Sequence, residues 1–176
     1  MSKEYIITMT AANRVGILSA VTNAMSELGG DLREASQTVV RGFFTMIFSA
    51  EFPETLAPDV IKDHLADACR PFGVDVGLKD PSKERMQDPT ESGSQLHTLR
   101  LGGLNQPGVL RQLSAVISMN RVDIAGMRAI RTRNGEGFEM VIKLSTPTDF
   151  DLAGLLRQIH ATGESFEMTA DVLNGM

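Results

Sequence analysis

A single cysteine, Cys69, excludes an intramolecular disulfide and points to a reducing compartment, the cytoplasm. No stretch approaches the roughly 20 apolar residues that a membrane span needs. The opening Met1-Ser2-Lys3-Glu4 leads into an apolar run of only Tyr5 to Met9, too brief for the hydrophobic region of a secretory signal. Positive charge is not in excess: 17 Lys and Arg against 22 Asp and Glu give a formal charge of -5. A protein that grips nucleic acid by neutralising phosphates carries the opposite balance. These absences predict a soluble cytoplasmic protein with no membrane partner and no direct nucleic-acid partner.

The chain has 176 residues, 42% of them hydrophobic, enough for one ordinary core or two small ones. From Lys79 to Gln95, Met86 is the only apolar side chain, and Pro81, Pro89 and Gly93 interrupt any helix or strand. Such a segment buries too little surface to offset its ordering entropy. The expected organisation is a first module over 1–80, a solvated linker over 81–95 and a second module over 96–176.

The two halves repeat each other. Asn13-Arg14-Val15-Gly16-Ile17-Leu18 aligns with Asn105-Gln106-Pro107-Gly108-Val109-Leu110. At the same offset Val21 falls on Leu113, Met25 on Ile117, Asp31 on Asp123 and Leu32 on Ile124. After two residues are added in the second copy's turn, Phe44 falls on Phe138, Met46 on Met140 and Pro53 on Pro147. A gap confined to a turn is what a structural repeat tolerates.

Each half follows one order of elements. Tyr5 to Thr10 has strand propensity. Gly16 then opens a helical pattern with Ile17, Leu18, Val21, Met25 and Leu28 on one face, ended by Gly29-Gly30. Leu32 to Val40 and Phe43 to Phe52 read as strands joined by a tight hairpin at Arg41-Gly42. Pro58 starts a helix with Val60, Ile61, Leu65 and Ala68 apolar, and Phe72 to Leu78 forms a last strand. The second copy predicts a strand over 96–104, a helix over 108–119 and a hairpin over 122–146 turning at Asn134-Gly135. A helix over 149–162 and a strand over 165–173 complete it. This is the split βαβ order of a ferredoxin-like α+β fold, with both helices on one face of a four-stranded antiparallel sheet. A module of about 75 residues with a bare sheet face and open edges is marginal alone, so a homo-oligomer is expected.

At the loop between first strand and first helix the sequence resembles the ACT domain, whose pattern there is Asp or Asn, Arg, Pro, Gly and two aliphatic residues. Asn105-Gln106-Pro107-Gly108-Val109-Leu110 departs from it at glutamine, and Asn13-Arg14-Val15-Gly16-Ile17-Leu18 at valine. Two such copies with little else resemble the glycine cleavage system transcriptional repressor group, as does the stretch Ser36 to Met46. The resemblance implies a regulator acting through a protein partner, a transcription regulator or an enzyme. It also implies that a polar residue opening the second strand reaches a ligand's ammonium, commonly across an interface. Asp31 and Asp123 hold that place, where the family more often has asparagine.

Independently of the resemblance, a helix start offers free amides and partial positive charge to a carboxylate. Gly16 and Gly108 would let a ligand approach the backbone, and Asn13 and Asn105 can donate and accept. The same residues also suit a helix cap or a turn. Proline at 107, absent from the first loop, favours the second copy as the preorganised site.

Other signals point away from catalysis. His64 and Cys69, five residues apart on one helix, diverge, and Cys69 suits packing. His97 and His160 suit solvated sites at element ends. Asp59, Asp63 and Asp67 form a solvated helix stripe rather than a metal site. Arg121, Arg128, Arg131 and Arg133 make the second hairpin basic, but strand alternation sends Arg128 to one face and Arg131 and Arg133 to the other. Met9, Met25, Met46, Met127 and Met140 fall in apolar patterns and are expected in the cores. The expected protein is a non-catalytic sensor of an amino acid, with glycine or serine as candidates, in transcriptional control of amino-acid metabolism. It needs no cofactor and no metal. The alternative is a ligand-free interaction module or the regulatory subunit of a metabolic enzyme.

Overall fold

The computed structural model describes residues 1–84, 94–132, 134–164 and 167–173. Arg133, the middle of the expected linker and residues 165 and 166 of the expected last strand lie outside the described residues. The chain divides into two compact units near residue 86, each built round its own apolar core.

The first unit runs β1 (Ser2–Ala12), α1 (Ile17–Glu27), β2 (Asp31–Val40), β3 (Phe43–Pro53), α2 (Pro58–Ala68) and β4 (Asp75–Lys79). The second runs β5 (Ser94–Leu104), α3 (Val109–Met119), β6 (Asp123–Arg131), β7 (Gly137–Pro147), α4 (Leu152–Gly163) and β8 (Thr169–Leu173). Both sheets are four-stranded and antiparallel, in the orders β2-β3-β1-β4 and β6-β7-β5-β8. The βαββαβ duplication and the α+β class predicted from the sequence are what the molecule shows.

Alternation builds the cores. Tyr5, Ile7, Met9 and Ala11 of β1 share a face with Phe44, Met46, Phe48, Ala50 and Phe52 of β3, and all are buried with residues of α1 and α2. In the second unit Leu99 and Leu101 meet Phe138, Met140, Ile142 and Leu144 in the same way. The duplication extends to irregularities: β2 bulges between Leu32 and Glu34, and β6 between Ile124 and Gly126, its counterpart.

Several local expectations need correction. Val60 is 50% exposed and Ala68 is exposed, because Ile61, Leu65 and Cys69 carry the buried stripe of α2. Leu18 is also exposed, since Ile17, Val21, Ala24 and Met25 already fill the inward face of α1. Met127 is 51% exposed rather than buried. It pairs with buried Ile142 and so points to the helix side, but β6 is the outermost strand and the helix layer does not cover it. The expected strand 72–78 begins instead as a 3-10 turn over Arg70–Phe72, with Pro71 at its start and Gly73 at φ 62. The last helix starts at Leu152, where the Asp151 carboxylate accepts the Gly154 N–H at 2.8 Å.

The hairpins differ as their sequences require. Arg41 and Gly42 both have positive φ, 48 and 81, as a two-residue type I′ turn demands. In the second unit Thr132 N–H donates to the Gly137 carbonyl, so a longer loop holds Asn134 and Gly135, and among its described residues only Gly135 has positive φ. Among the described residues no helix is long and apolar enough to cross a membrane.

Past β4 the chain turns at Pro81–Lys83, where Asp80 accepts from the Ser82 N–H and hydroxyl. Lys3 Nζ lies 2.7 Å from Asp80 Oδ2, tying the exit of β4 to the start of β1. The Lys3 hydrogen bond, then those of Ser82, hold the Asp80 carboxyl at about 2, below its ordinary value. A carboxyl depressed in the folded state stabilises the fold above its unfolded pKa, and that contribution is lost as pH falls through the folded one. Between about pH 4 and pH 2 the wild-type chain is therefore expected to lose stability that Asp80→Asn does not lose. Urea denaturation of both proteins across that window measures the difference. Parallel curves would show that the pair contributes nothing.

Candidate functional site

The loops that join β1 to α1 and β5 to α3 have one frame. Asn13 N–H donates to the Gly42 carbonyl and Asn105 N–H to the Glu136 carbonyl, both at 2.7 Å, so each loop is pinned to the tip of its own hairpin. Asn105 Nδ2 also donates to the Gly135 carbonyl at 3.3 Å. Gly16 and Gly108 precede the helices with φ 100 and 95, a conformation that L side chains strain to adopt. Neither helix receives a side-chain cap, so the asparagines brace the hairpins rather than cap the helices.

The first loop is exposed from Ala12 to Gly16 and is touched by the segment that follows α2. Arg14 Nη1 donates to the Pro71 carbonyl at 3.5 Å, and a Cβ on Gly16 would meet the Phe72 ring at 3.4 Å. Val15 stands fully in solvent, and Leu18 is half-exposed while Ile17 is buried.

The second loop borders a cleft of about 350 Å³ between the start of α3 and the β6–β7 hairpin. Asn105, Gln106, Gly108, Val109, Leu110 and Arg111 line one side, and Ala129, Ile130, Arg131, Phe138 and Met140 the other. Pro107 lies in the same loop but is not part of the lining. The register explains the far wall: Arg131 pairs with Phe138 and Ala129 with Met140, so these four point to the helix side where β6 outruns the helices. No acidic residue among those described lines the cleft. Among the described residues neither the Arg111 nor the Arg131 guanidinium makes an ion pair or a side-chain hydrogen bond. Uncapped amides, two free cations and an apolar floor can hold an anion with an apolar body.

Asp31 and Asp123 do not join these loops within their own module. The eleven-residue α3 separates Asp123 from Gly108 by about 16 Å at 1.5 Å per residue, and α1 separates Asp31 from Gly16 likewise. Asp123 instead borders a shallow depression with Ser114, Ile117 and Arg121. Asp31 Oδ2 lies 3.5 Å from Arg33, which also binds Glu51. Sequence reasoning missed Arg111 and the whole far wall, Ala129, Ile130, Arg131, Phe138 and Met140, as members of the cleft. The signal was there in the cross-strand register, which sets Arg131 beside Phe138.

The remaining candidates have ordinary partners. Cys69 is fully buried in the first core, and burial pushes its thiol up, away from a nucleophile's thiolate. His64 contacts Glu27 at 2.8 Å, His97 the Thr146 hydroxyl at 3.1 Å, and His160 the Ala170 carbonyl at 3.2 Å. Asp59, Asp63 and Asp67 are exposed, and Asp67 pairs with Arg70. Arg128 lies on the open sheet face, opposite to Arg131.

Comparison with known proteins agrees with this frame. The family model described as the ACT domain matches residues 5–66. A UPF0237 protein of Methanosarcina acetivorans is 36% identical over 79 residues, 44% of this chain and 86% of that protein. A UPF0237 protein of Corynebacterium diphtheriae is 38% identical over 64 residues, 35% of this chain and 71% of its own length. Among solved structures, an unknown protein from Galdieria sulphuraria superposes with a TM-score of 0.80 at 14% identity, covering 100% of both chains. A candidate glycine cleavage system transcriptional repressor superposes with a TM-score of 0.69 at 11% identity, covering 99% of both. At those identities the likeness is one of fold.

Proposed function

The chain belongs to the UPF0237 family and carries two ACT modules, and from that premise we propose that it is a non-catalytic sensor of a small carboxylate metabolite. The single observation that carries this reading is the cleft of about 350 Å³ at the β5–α3 loop. It joins an uncapped helix start to two unpaired guanidiniums, so a carboxylate would find both amide donors and positive charge there.

Amino acids are the first ligands to test, glycine and serine among them. An amino acid's ammonium would need an acidic partner. Asp123, at the far end of α3, can serve only from a second copy, which ties this mode of binding to a homo-oligomer. Ligand seated against the β6–β7 hairpin would bias how the exposed β6 edge meets its neighbour, and so the affinity for a protein partner in the cytoplasm. It can shift that balance only by its differential affinity for the two arrangements.

One observation favours a second reading, a ligand-free interaction module. On the open sheet face of the first unit Val40 and Phe43 are paired neighbours, 63% and 60% exposed, with Ile47 beyond them. Such a patch suits a protein partner.

A thermal-shift screen of the whole chain against common amino acids, related carboxylates and nucleotides separates the two. A ligand of the folded state is expected to add about 2.7 kcal/mol at a hundredfold excess over Kd. Asn105→Ala is expected to abolish the shift, and Asp123→Ala to abolish any shift that needs an ammonium. A flat response at millimolar concentrations would favour the interaction module.

A further inference from the structure

The cleft of the second module is built for one ligand class more narrowly than the sensor reading requires. Its polar members are Asn105, Gln106, Arg111 and Arg131, two neutral amides and two cations, with no carboxylate among its lining residues. Asn105 already donates its amide to the hairpin tip. Its floor is Val109, Ala129, Phe138 and Met140, of which Val109, Phe138 and Met140 are buried hydrophobic core residues. A zwitterion brought here would place an ammonium in a cleft lined by two arginines and, among the described residues of its own module, by no carboxylate to receive it. Cationic lining opposes a further positive charge, and a desolvated ammonium without a partner is costly. Glycine and serine would in addition leave the apolar floor uncovered.

Resting on the sensor reading, we infer that this cleft selects carboxylates that carry an apolar body and no ammonium group, such as the 2-oxo acids of branched or aromatic side chains. The carboxylate sits between the start of α3 and the two arginines, and the apolar body lies on Phe138 and Met140. Arg131 is the discriminating residue, because β6 carries it to the helix side beside Phe138. In the equivalent part of the first hairpin the residues paired to Phe44 and Met46 are Val39 and Gln37, with no cation on that side, so the selectivity belongs to the second module alone.

Isothermal titration of the whole chain with matched pairs tests this: 4-methyl-2-oxopentanoate against leucine, and phenylpyruvate against phenylalanine, with glycine and serine alongside. Each oxo acid is expected to bind at least about tenfold more tightly than its amino acid, a difference of about 1.4 kcal/mol. Arg131→Gln is expected to weaken the oxo acid by about tenfold and leave the amino acid nearly unchanged. Arg131 is exposed, so this variant keeps the fold, and an unchanged melting temperature verifies it. Amino acids binding as tightly as their oxo acids would overturn the inference while leaving the sensor reading intact. Binding that ignores Arg131→Gln would also overturn it. No binding by any of the six compounds at about 10 mM would overturn inference and reading together.

Discussion

Replacing Phe48 with alanine is expected to lower the stability of the first module by about 3–5 kcal/mol. Phe48 stands in the middle of β3, opposite Ile7 of β1, and is among the largest fully enclosed side chains of the chain. Its removal loses the transfer free energy of a benzyl group and leaves a cavity that antiparallel strands on both sides cannot close. Small domains hold about 0.05–0.15 kcal/mol per residue, so a module of some 80 residues has about 4–12 kcal/mol to lose. The variant is therefore expected to sit near its unfolding threshold at room temperature. Its repeat counterpart is Ile142, fully buried and opposite Leu99. Ile142→Ala removes less surface and is expected to cost about 2–5 kcal/mol. Hydrogen exchange of β3 and β7 amides in each variant reports which module has weakened. A loss under about 1.5 kcal/mol for Phe48→Ala would show that the β3 core is not packed as tightly as its burial implies.

Much of this architecture was legible because the repeat supplied two readings of each element. An apolar stripe on one helix is ambiguous, but Ile17, Val21 and Met25 recurring as Val109, Leu113 and Ile117 is not. Hairpin order followed from Arg41-Gly42 and Asn134-Gly135, whose backbone demands are local. Burial on β6 was not legible. Met127 belongs to an apolar pattern, yet it is exposed because strand order puts β6 at the sheet edge, and strand order is a tertiary fact. The candidate site was half legible for the same reason. Asn105 to Leu110 are contiguous and could be named from the chain, whereas Arg131, Phe138 and Met140 arrive from a hairpin whose register had to be known. Asp31 and Asp123 were named from the resemblance, which places their role across an interface. Each opens its strand as expected, and a whole helix lies between it and its own loop, so within one module neither can reach it.

Gly30→Ala is expected to destabilise the first module more than Gly29→Ala, although Gly29 is the residue with positive φ. Both helices end in the same motif. Gly29 N–H donates to Ser26 and Gly30 N–H to Met25; in the second module Arg121 donates to Ser118 and Val122 to Ile117. Arg121 holds φ 55 without being glycine, so this left-handed position tolerates a side chain at a cost of about 1–2 kcal/mol. The following position behaves differently. A Cβ on Gly30 would stand 2.5 Å from the Phe52 ring and 3.1 Å from the Met25 carbonyl oxygen. Phe52 is fully buried and cannot swing aside, so the overpacking is expected to cost about 1–3 kcal/mol or more. The second module exchanges the bulk: Val122 replaces Gly30, and Thr146 replaces Phe52 at the matching place in β7. Shortening the ring should therefore relieve the added methyl. In a double-mutant cycle, Gly30→Ala is expected to cost less in the Phe52→Leu background, with a coupling of about 0.5–3 kcal/mol. Additive effects would mean that the methyl strains the helix terminus itself, through the Met25 carbonyl, and not the ring beneath it.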